Sequence, residues 1–318
     1  KTGKQPKSVE YSPDGKYIFS ALLDDNGIDV FDPISFKHLK RLTPPEKFWD
    51  SKGFVEVSFV MKKREVWVSQ MHNGYIHIFD LDKLTYIDSI KLKGVGTKII
   101  TIDPDEKYAY ASNWFSMDLE KVDIDKKKSI EQIKLGWIPR GSTFRNDKRY
   151  LYICNFSDGS LVKYDLKQKK IIAKIIKGPG AKRHIVYHKE TNKLFVSDMS
   201  KNKVFIIDCK NDTIINEFSV GNKLNTIKVS TDGQYLFVSS RGPNNPYKGY
   251  LYKGLEYGKI YIIDAKNGKI IEWFWGRNQP TGLALSPDNK YLLFTDFLDQ
   301  NIEVYENKIY KLSKYFTK

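Results

Sequence analysis

Arginine and histidine stand side by side at Arg183 and His184, in the segment AKRHIVYH. The repeat alignment described below brings Arg140 and Asp198 close to this pair. An arginine could polarise a lactone carbonyl or a phosphate ester, and a histidine beside a carboxylate could transfer a proton. A small-molecule hydrolase is therefore one interpretation. A lone histidine on a buried strand is more often a packing residue, and this remains the alternative.

The other histidines and the cysteines form no recognisable catalytic or metal motif. His184 and His188 are four residues apart, which on a strand separates them by roughly 13 Å. The chain lacks CxxC, HExxH, CxxCH and GxSxG, the usual anchors of zinc, c-type haem and serine-hydrolase sites. Cys154 and Cys209 map to opposite faces of the predicted fold, so we expect no disulfide. We expect no metal and no cofactor.

The chain carries a formal charge of +15, from 53 Lys and Arg against 38 Asp and Glu. This balance favours an anionic partner, such as nucleic acid, a phosphorylated sugar, an acidic polysaccharide or an anionic membrane. Lysine can also simply keep sheet edges soluble. The lysines at 126–128 and 167–170 fall in predicted turns, where solvated charge is ordinary.

A repeat organises the whole chain. The segment SPDGKYIFS at 12–20 returns as SPDNKYLLF at 286–294. Five weaker copies lie between them and begin at Met61, Asp103, Arg145, His188 and Ser230. The steps from Ser12 through these copies to Ser286 are 42 to 56 residues long. A second marker, a hydrophobic residue followed by an acid, keeps the same step at Asp32, Asp80, Asp123, Asp165, Asp208, Asp264 and Glu306. The chain therefore contains seven repeats.

Each repeat reads as four short strands separated by turns rich in Gly, Asp, Asn and Pro. Four strands in about 42 residues are typical of a propeller blade. The sequence predicts an all-β, single-domain, seven-bladed β-propeller of four-stranded antiparallel blades over residues 1–318. The blades are predicted at 6–42, 54–92, 96–135, 138–176, 180–220, 223–275 and 279–314. Closure is expected mainly from packing of blade seven on blade one.

The pattern P-x-G-x-x-x-S-P-D-x-K-Y from Pro280 to Tyr291, with its V/I-x-V/I-D third strand, resembles YVTN-type β-propeller repeats. The resemblance covers nearly the whole chain and implies a bacterial or archaeal protein that is exported or attached to the surface. An extracytoplasmic, periplasmic or surface location is therefore expected. Lactonases and haem-binding propellers share the seven-bladed architecture, but this sequence carries no residue-by-residue motif of either. The fold hosts unrelated activities, so function must be argued from a site.

In a propeller, the loops before each first strand and after each second strand share one face, here called the top face. The column following the start of the first strand is mainly cationic and predicts a collar at the channel mouth. It reads Lys7, Glu56, Lys98, Arg140, Arg183, Asn225 and Thr281. Two columns at the end of the second strand add polar and aromatic groups. Their candidate binding residues are Asn113, Asn155, Asp198, Trp114 and Arg241, and Phe156 and Phe297 stand in the same columns.

Both clear insertions belong to the top face. Blade one gains TPPEKFWDSKGF, which contains Trp49, and blade six gains RGPNNPYKGYLYKGLEYG. The second insertion contributes Tyr247, Tyr250 and Tyr252 to the candidate binding residues. Extra loop length without extra strands is usually functional or disordered. Aromatic loops above a cationic collar indicate a binding surface.

The sequence favours a non-enzymatic binding scaffold of the bacterial or archaeal envelope that engages an anionic macromolecule or ligand, or a protein partner, through the top face. Nucleic acid is among the partners that fit, and a lactonase-like hydrolase is the alternative. Successive strand residues point to opposite sides, so we expect His184 to pack between blades while Arg183 reaches the mouth. We expect a monomer without a transmembrane segment. The first residue is lysine, so we expect a processed or truncated product.

Overall fold

Two hydrogen-bonded turns connect the strands of the repeat, as blade one illustrates. In blade one the N–H of Gly15 donates to the carbonyl of Ser12 over 2.8 Å, which closes the turn that SPDG predicts. Asp14 supports this turn by accepting the Ser12 hydroxyl over 2.7 Å. At the end of the third strand, Asp32 accepts the backbone N–H groups of Ile34 and Ser35. The acidic marker of the repeat is therefore a turn-forming residue.

The computed structural model describes residues 1–309. Within that range it is almost entirely β-structure, with two short 3-10 helices at Glu46–Ser51 and Met61–Lys63. Six blades have four antiparallel strands in sequential order, and blade seven shows three. The fourth strand predicted for blade seven was placed up to residue 314, and residues 310–314 lie outside the described range. The all-β, seven-bladed prediction is confirmed.

The strands are numbered along the chain. Blades one and two contain β1 (Glu10–Tyr11), β2 (Ile18–Ala21), β3 (Ile28–Phe31), β4 (His38–Leu42), β5 (Phe54–Val60), β6 (Glu65–Gln70), β7 (Tyr75–Asp80) and β8 (Tyr86–Lys91). Blades three and four contain β9 (Thr97–Ile102), β10 (Tyr108–Asn113), β11 (Asp118–Asp123), β12 (Lys128–Lys134), β13 (Pro139–Phe144), β14 (Tyr150–Asn155), β15 (Leu161–Asp165) and β16 (Lys170–Ile176).

The remaining blades follow the same order. Blades five and six contain β17 (Lys182–His188), β18 (Lys193–Asp198), β19 (Lys203–Asp208), β20 (Thr213–Ser219), β21 (Leu224–Val229), β22 (Tyr235–Ser240), β23 (Lys259–Asp264) and β24 (Ile270–Trp275). Blade seven contains β25 (Pro280–Leu285), β26 (Tyr291–Asp296) and β27 (Asn301–Glu306).

The apolar core lies between the blades. Each pair of neighbouring blades shares one cluster of buried aliphatic and aromatic side chains, including the pair formed by blades seven and one. In the last of these interfaces, Val9 and Tyr11 pack with Ala284 and Leu293. Burying apolar area between the sheets is the main stabilising term. Cys154 and Cys209 are both buried and free, as predicted.

Packing and hydrogen bonds together close the ring. A side chain at Gly282 would place its Cβ 2.7 Å from the backbone N of Val9, so glycine is needed where blade seven meets blade one. The hydroxyl of Thr281 lies 3.3 Å from the carbonyl of Pro6, and the N–H of Thr2 donates to the carbonyl of Gln300 over 3.0 Å. Contacts between the first and last blades therefore include polar links besides the expected packing.

A β-bulge interrupts the first strand of blades two to seven, near its top end. In blade five, Lys182 pairs with Asp198 and His184 with Ser197, which leaves Arg183 as the extra residue. The expectation of a regular strand at Arg183 and His184 is therefore wrong. A bulge changes the direction of the side chains beside it, so strict alternation does not apply there.

A hydroxyl near the end of the second strand holds most of these bulges. Ser69, Ser112, Ser197, Ser239 and Thr295 each accept a backbone N–H from the first strand of their own blade. Four of the five also donate to the next blade. Ser69 donates to the carbonyl of Lys98 over 2.7 Å, and Ser112 donates to that of Arg140 over 3.0 Å. The backbones of the mouth residues are thus fixed by their neighbours.

Candidate functional site

The first strands of neighbouring blades contact each other around the central channel. Their bulges carry Lys98, Arg140 and Arg183, and Lys7 lies at the matching place in blade one. Electrostatic interactions couple Lys7 to the other three and to Arg241, which follows the second strand of blade six. The structure therefore brings together five cationic side chains, called the mouth cluster: Lys7, Lys98, Arg140, Arg183 and Arg241.

One member of the predicted collar sits elsewhere in the repeat. Phe54 pairs with Gln70 as Lys182 pairs with Asp198, so Val55, not Glu56, follows the strand opening. Blade two opens its first strand with Phe54 after an insertion, so no proline marks the start of that strand in the sequence. Glu56 nevertheless reaches the mouth cluster, because its Oε1 lies 3.2 Å from Nη2 of Arg140.

Four of the five side chains of the mouth cluster are almost completely removed from solvent, and Lys7 is partly exposed. Lys98, Arg140, Arg183 and Arg241 are each no more than 8% exposed. Burial, followed by the charges of the neighbouring arginines, lowers the pKa of Lys7 and of Lys98 well below the usual lysine range. Burial also lowers the pKa of Arg241 to about 10. Like charges held in a poorly solvated space destabilise each other unless an anion joins them.

Several donors of this site have no acceptor within the described part of the chain. They are Nε and Nη1 of Arg140, Nε of Arg241 and Nδ2 of Asn225. Arg183 donates from Nε to Oδ1 of Asn225, so the amide group directs its free N–H donor elsewhere. Buried donors without partners are costly, and native proteins keep few of them outside functional sites.

Aromatic rings flank the cations on two sides. Trp114 stacks on Phe156 with centroids 4.9 Å apart, and the ammonium of Lys98 lies 4.7 Å from the Trp114 ring. The Arg140 guanidinium lies 5.9 Å from the same ring. We call this group the Trp114 flank.

The second group is the Tyr250 flank. Tyr250 stacks on Phe297 at 6.4 Å, and the Arg241 guanidinium lies 5.3 Å from the Tyr250 ring. Lys7 lies 4.5 Å from the centroid of Phe297. Of the predicted loop tyrosines, Tyr250 is thus the one placed among the cations. Sequence reasoning proposed Tyr250 but left Phe156, Phe297 and Asn225 out of the binding set, although each stood in a top-face column.

Three predicted polar residues anchor loops and are fully buried. Asp198 lies 2.6 Å from the Lys182 ammonium and accepts the N–H of Ala181. Burial alone would raise the pKa of Asp198, but these hydrogen bonds hold it below its usual value. Asn113 accepts the hydroxyl of Thr97, and Asn155 donates to that of Ser160. These contacts give the three side chains a structural role.

The remaining predicted residues lie outside the cluster of cations. The indole of Trp49 donates to the carbonyl of Pro44 over 2.8 Å. Tyr247 is 93% exposed, and Tyr252 is exposed with the Lys248 ammonium 5.4 Å from its ring. The two tyrosines are available on the blade-six insertion, but no contact joins them to the mouth cluster.

His184 does not assemble the predicted Arg–His–Asp grouping. Among residues 1–309 its Nδ1 has no hydrogen-bond partner, and the carboxylate of Asp198 forms an ion pair with Lys182. Burial, with the charges of Lys228, Arg140 and Arg183, lowers the pKa of His184 well below its ordinary range. The imidazole is therefore neutral at physiological pH. Within residues 1–309, no three His, Cys, Asp or Glu side chains are grouped so that they could hold a metal ion.

Comparisons with known proteins agree with this architecture. The solved structure of Kuenenia stuttgartiensis hydrazine synthase matches with a TM-score of 0.82 at 16% identity, over 95% of this chain and 96% of that chain. Antigen Lp49 of Leptospira interrogans serogroup Icterohaemorrhagiae serovar copenhageni (strain Fiocruz L1-130) is 43% identical over 311 residues, covering 96% of this chain and 68% of the antigen. The family model described as Lactonase, 7-bladed beta-propeller matches residues 142–310. The hydrazine synthase likeness shows the fold alone, whereas the other two matches show that the chain belongs to the seven-bladed β-propeller lactonase family and is a relative of antigen Lp49.

Proposed function

We propose that the chain is a non-enzymatic binding protein that engages an anionic ligand or macromolecule through the mouth cluster and the surrounding loops. The observation that carries the proposal is the set of buried, unpartnered donors on Arg140 and Arg241. An anion would accept these hydrogen bonds and neutralise the repulsion that, together with the larger effect of burial, lowers the pKa values of Lys7 and Lys98. Charge-assisted hydrogen bonds of this kind are the strong ones.

The lactonase-like alternative draws on the family description and on the position of His184. The contacts of His184 support it poorly, because the nearby carboxylate of Asp198 bonds to Lys182 and no other described carboxylate bonds to the imidazole. Family membership does not supply an activity by itself, since function resides in a particular site.

The cellular location that we propose rests on the similarity to antigen Lp49 and not on the structure of the mouth cluster. Antigen Lp49 is named as an antigen, which fits a surface or exported protein. We extend this to the chain and place it outside the cytoplasm, as one propeller domain built of YVTN-type repeats. Within residues 1–309, no helix is long and apolar enough to cross a membrane.

The proposal is tested by binding to a sulfated polysaccharide, heparin, followed by biolayer interferometry. The variant Lys98→Gln/Arg140→Gln removes two charges from the mouth cluster. The control Lys126→Gln/Lys128→Gln removes two exposed charges, one from the turn between β11 and β12 and one from the first residue of β12. We expect the first variant to lose about tenfold or more in affinity and the control to change little. Equal losses in both variants would show attraction to overall charge and would overturn the proposal.

A further inference from the structure

A cavity of about 650 Å³ lies between blades seven and one, on the face opposite the top face. The turns that join first to second strands and third to fourth strands form this face. The apolar lining of the cavity, which we call the tyrosine crevice, comes from Tyr11, Tyr17, Pro33, Ile34, Pro287 and Tyr291. Its volume is within the range of small-ligand sites in proteins.

The repeat does not require this lining. The matching crevice between blades five and six is built from the same two kinds of turn and has a volume of about 460 Å³. In the aligned strands, Val229 takes the place of Tyr11 and Lys193 takes the place of Tyr291. Tyrosine recurs at these strand positions in other repeats, yet only the junction of blades seven and one combines all three tyrosines. The composition of the tyrosine crevice is therefore particular to this junction.

Ile34 is a second departure from the repeat. It stands two residues after the turn-forming Asp32 and is 86% exposed. The other six repeats have a charged residue at this position: Asp82, Asp125, Lys167, Lys210, Lys266 and Lys308. Ile34 lines the same cavity as Pro33 and Pro287. Exposed apolar side chains that share one concave surface indicate a binding site.

The hydroxyl of Tyr11 is a buried donor without an acceptor. Tyr11 is 9% exposed, and its hydroxyl has no hydrogen-bond partner among residues 1–309. The same strand position in blade five holds Tyr187, whose hydroxyl donates to Oδ1 of Asn192 over 3.0 Å. Burial, followed by the charge of Asp288, raises the pKa of Tyr11, so its hydroxyl stays protonated. Buried polar groups are nearly always paired, and a ligand in the tyrosine crevice would supply the missing acceptor.

The charges along the tyrosine crevice balance. Lys16 and Lys290 lie on its border together with Asp32 and Asp288, so neither an anion nor a cation gains a net attraction. The two carboxylates already accept backbone N–H groups within their own turns. The lining therefore favours an uncharged ligand that brings apolar rings and hydrogen-bond acceptors and needs few acceptors from the protein.

A proline-rich peptide segment has these properties. Proline has no backbone N–H group that must be paired, and its carbonyl group remains free to accept a hydrogen bond. In the polyproline II helix the backbone makes no internal hydrogen bonds, so each carbonyl is available to a donor on the protein. Grooves lined by aromatic side chains are the recurring sites at which such segments bind.

We propose that the tyrosine crevice binds a proline-rich peptide segment in the polyproline II conformation. A backbone carbonyl of the segment accepts the hydrogen bond of the Tyr11 hydroxyl, and its proline rings pack against Ile34 and Tyr291. The crevice lies on the opposite face from the mouth cluster, so the segment is a second ligand beside the anion proposed above.

The test is fluorescence anisotropy of a fluorescein-labelled decaproline peptide titrated with the full chain. A labelled Gly-Ser peptide of the same length is the negative control. We expect saturable binding of decaproline and no binding of the Gly-Ser peptide. Tyr11→Phe removes only the hydroxyl and should lower the affinity about three- to tenfold. Ile34→Lys restores the charge found in the other repeats and should also weaken binding.

Tyr187→Phe is the matched control, because it removes a hydroxyl from the same strand position of blade five. It should bind decaproline like wild type, and so should Arg140→Gln in the mouth cluster. Thermal melting of each variant separates binding from folding. Tyr11→Phe should melt at or above the wild-type temperature, since it loses a buried hydroxyl that has no partner.

Three outcomes would overturn the assignment. The first is the absence of saturable decaproline binding. The second is an equal affinity of wild type, Tyr11→Phe and Ile34→Lys for the peptide. The third is a loss of peptide binding in Arg140→Gln, which would place the peptide at the channel mouth. The neutral sugar maltohexaose is titrated in parallel, and binding of this sugar through Tyr11 without binding of decaproline would show that the ligand class is wrong.

Discussion

The carboxylate of Glu56 and the guanidinium of Arg140 meet at the channel mouth, with Oε1 3.2 Å from Nη2, although the residues belong to blades two and four. The contact therefore joins two blades that are not neighbours in the ring, and it places one carboxylate among the cationic side chains of the mouth cluster. Removing it leaves the Arg140 side chain buried without its carboxylate.

Glu56→Gln should therefore have opposite effects on stability and on binding. We expect the free energy of unfolding to fall by about 2 kcal/mol, because one partner of a mostly buried ion pair is lost. Affinity for an anion such as heparin should rise, since Arg140 no longer shares its charge with Glu56. Chemical denaturation and calorimetry measure the two effects. Weaker binding in the variant would show that Glu56 contacts the ligand and does not compete with it.

Lys98→Met should stabilise the ligand-free protein. Burial and the nearby arginines lower the pKa of Lys98 in the folded state, so its ammonium is less favourable there than in the unfolded chain. We expect a gain of about 1 kcal/mol at neutral pH, together with weaker anion binding. A loss of stability in Lys98→Met would contradict the repulsion described here.

The lowered pKa of Lys98 also determines whether the stability of the protein rises or falls with pH. Between the lowered folded-state pKa and the ordinary lysine value near 10.5, the unfolded chain binds more protons at this site than the folded chain. The contribution of Lys98 to stability therefore rises with pH across that window. Urea denaturation at several pH values should show a smaller rise in Lys98→Met than in wild type. Identical pH dependences would argue against a shifted lysine.

Asp198→Asn should be costly for folding and neutral for binding. It leaves the ammonium of Lys182 buried without its carboxylate, 2.6 Å away in the wild type. We expect a loss of about 3 kcal/mol, with unchanged affinity for the anion in the protein that remains folded. The double variant Lys182→Met/Asp198→Asn should recover part of the loss. A loss of binding with unchanged stability would contradict this prediction and would indicate that Asp198 contacts the ligand.

His184→Ala separates a packing residue from a catalytic one. The imidazole is half-buried, with Nδ1 unpartnered, and it lies within the field of Lys228 and Arg140. Truncating it should cost about 1 to 2 kcal/mol through lost packing. Thermal melting measures this cost, and a spectrophotometric lactone assay tests activity. An unchanged melting temperature with loss of a hydrolysis present in wild type would favour the hydrolase.

The repeat made most of the fold predictable. Two markers, the turn at Ser12 and the acid at Asp32, each perform a local hydrogen-bonding role, so their spacing reported the blade period directly. The bulge was missed because the alternation of side chains along a strand assumes that each residue pairs with one residue of the neighbouring strand, whereas a bulge adds an unpaired residue. Its signal was nevertheless present in the sequence, as the hydroxyl column of Ser69, Ser112, Ser197, Ser239 and Thr295.

Site residues were predictable where their position in the repeat was enough to place them at the channel mouth. Lys98, Arg140 and Arg183 follow from the column alone. The partners of Asp198 and Asn113 did not follow, because each donor comes from the residue directly opposite on the first strand of the same blade, the ammonium of Lys182 and the hydroxyl of Thr97. The contact of Glu56 with Arg140 joins blades that are not neighbours, and no single-repeat pattern contains it.

The most direct test of the central claim is the salt dependence of anion binding at the mouth. The affinity for heparin is measured in wild type, in Arg140→Gln and in the matched control Lys126→Gln, between low and physiological ionic strength. Binding through the mouth cluster predicts a steep fall with salt in wild type and in the control, and a shallower slope in Arg140→Gln. An affinity indifferent to salt, or the same slope in all three proteins, would contradict the account.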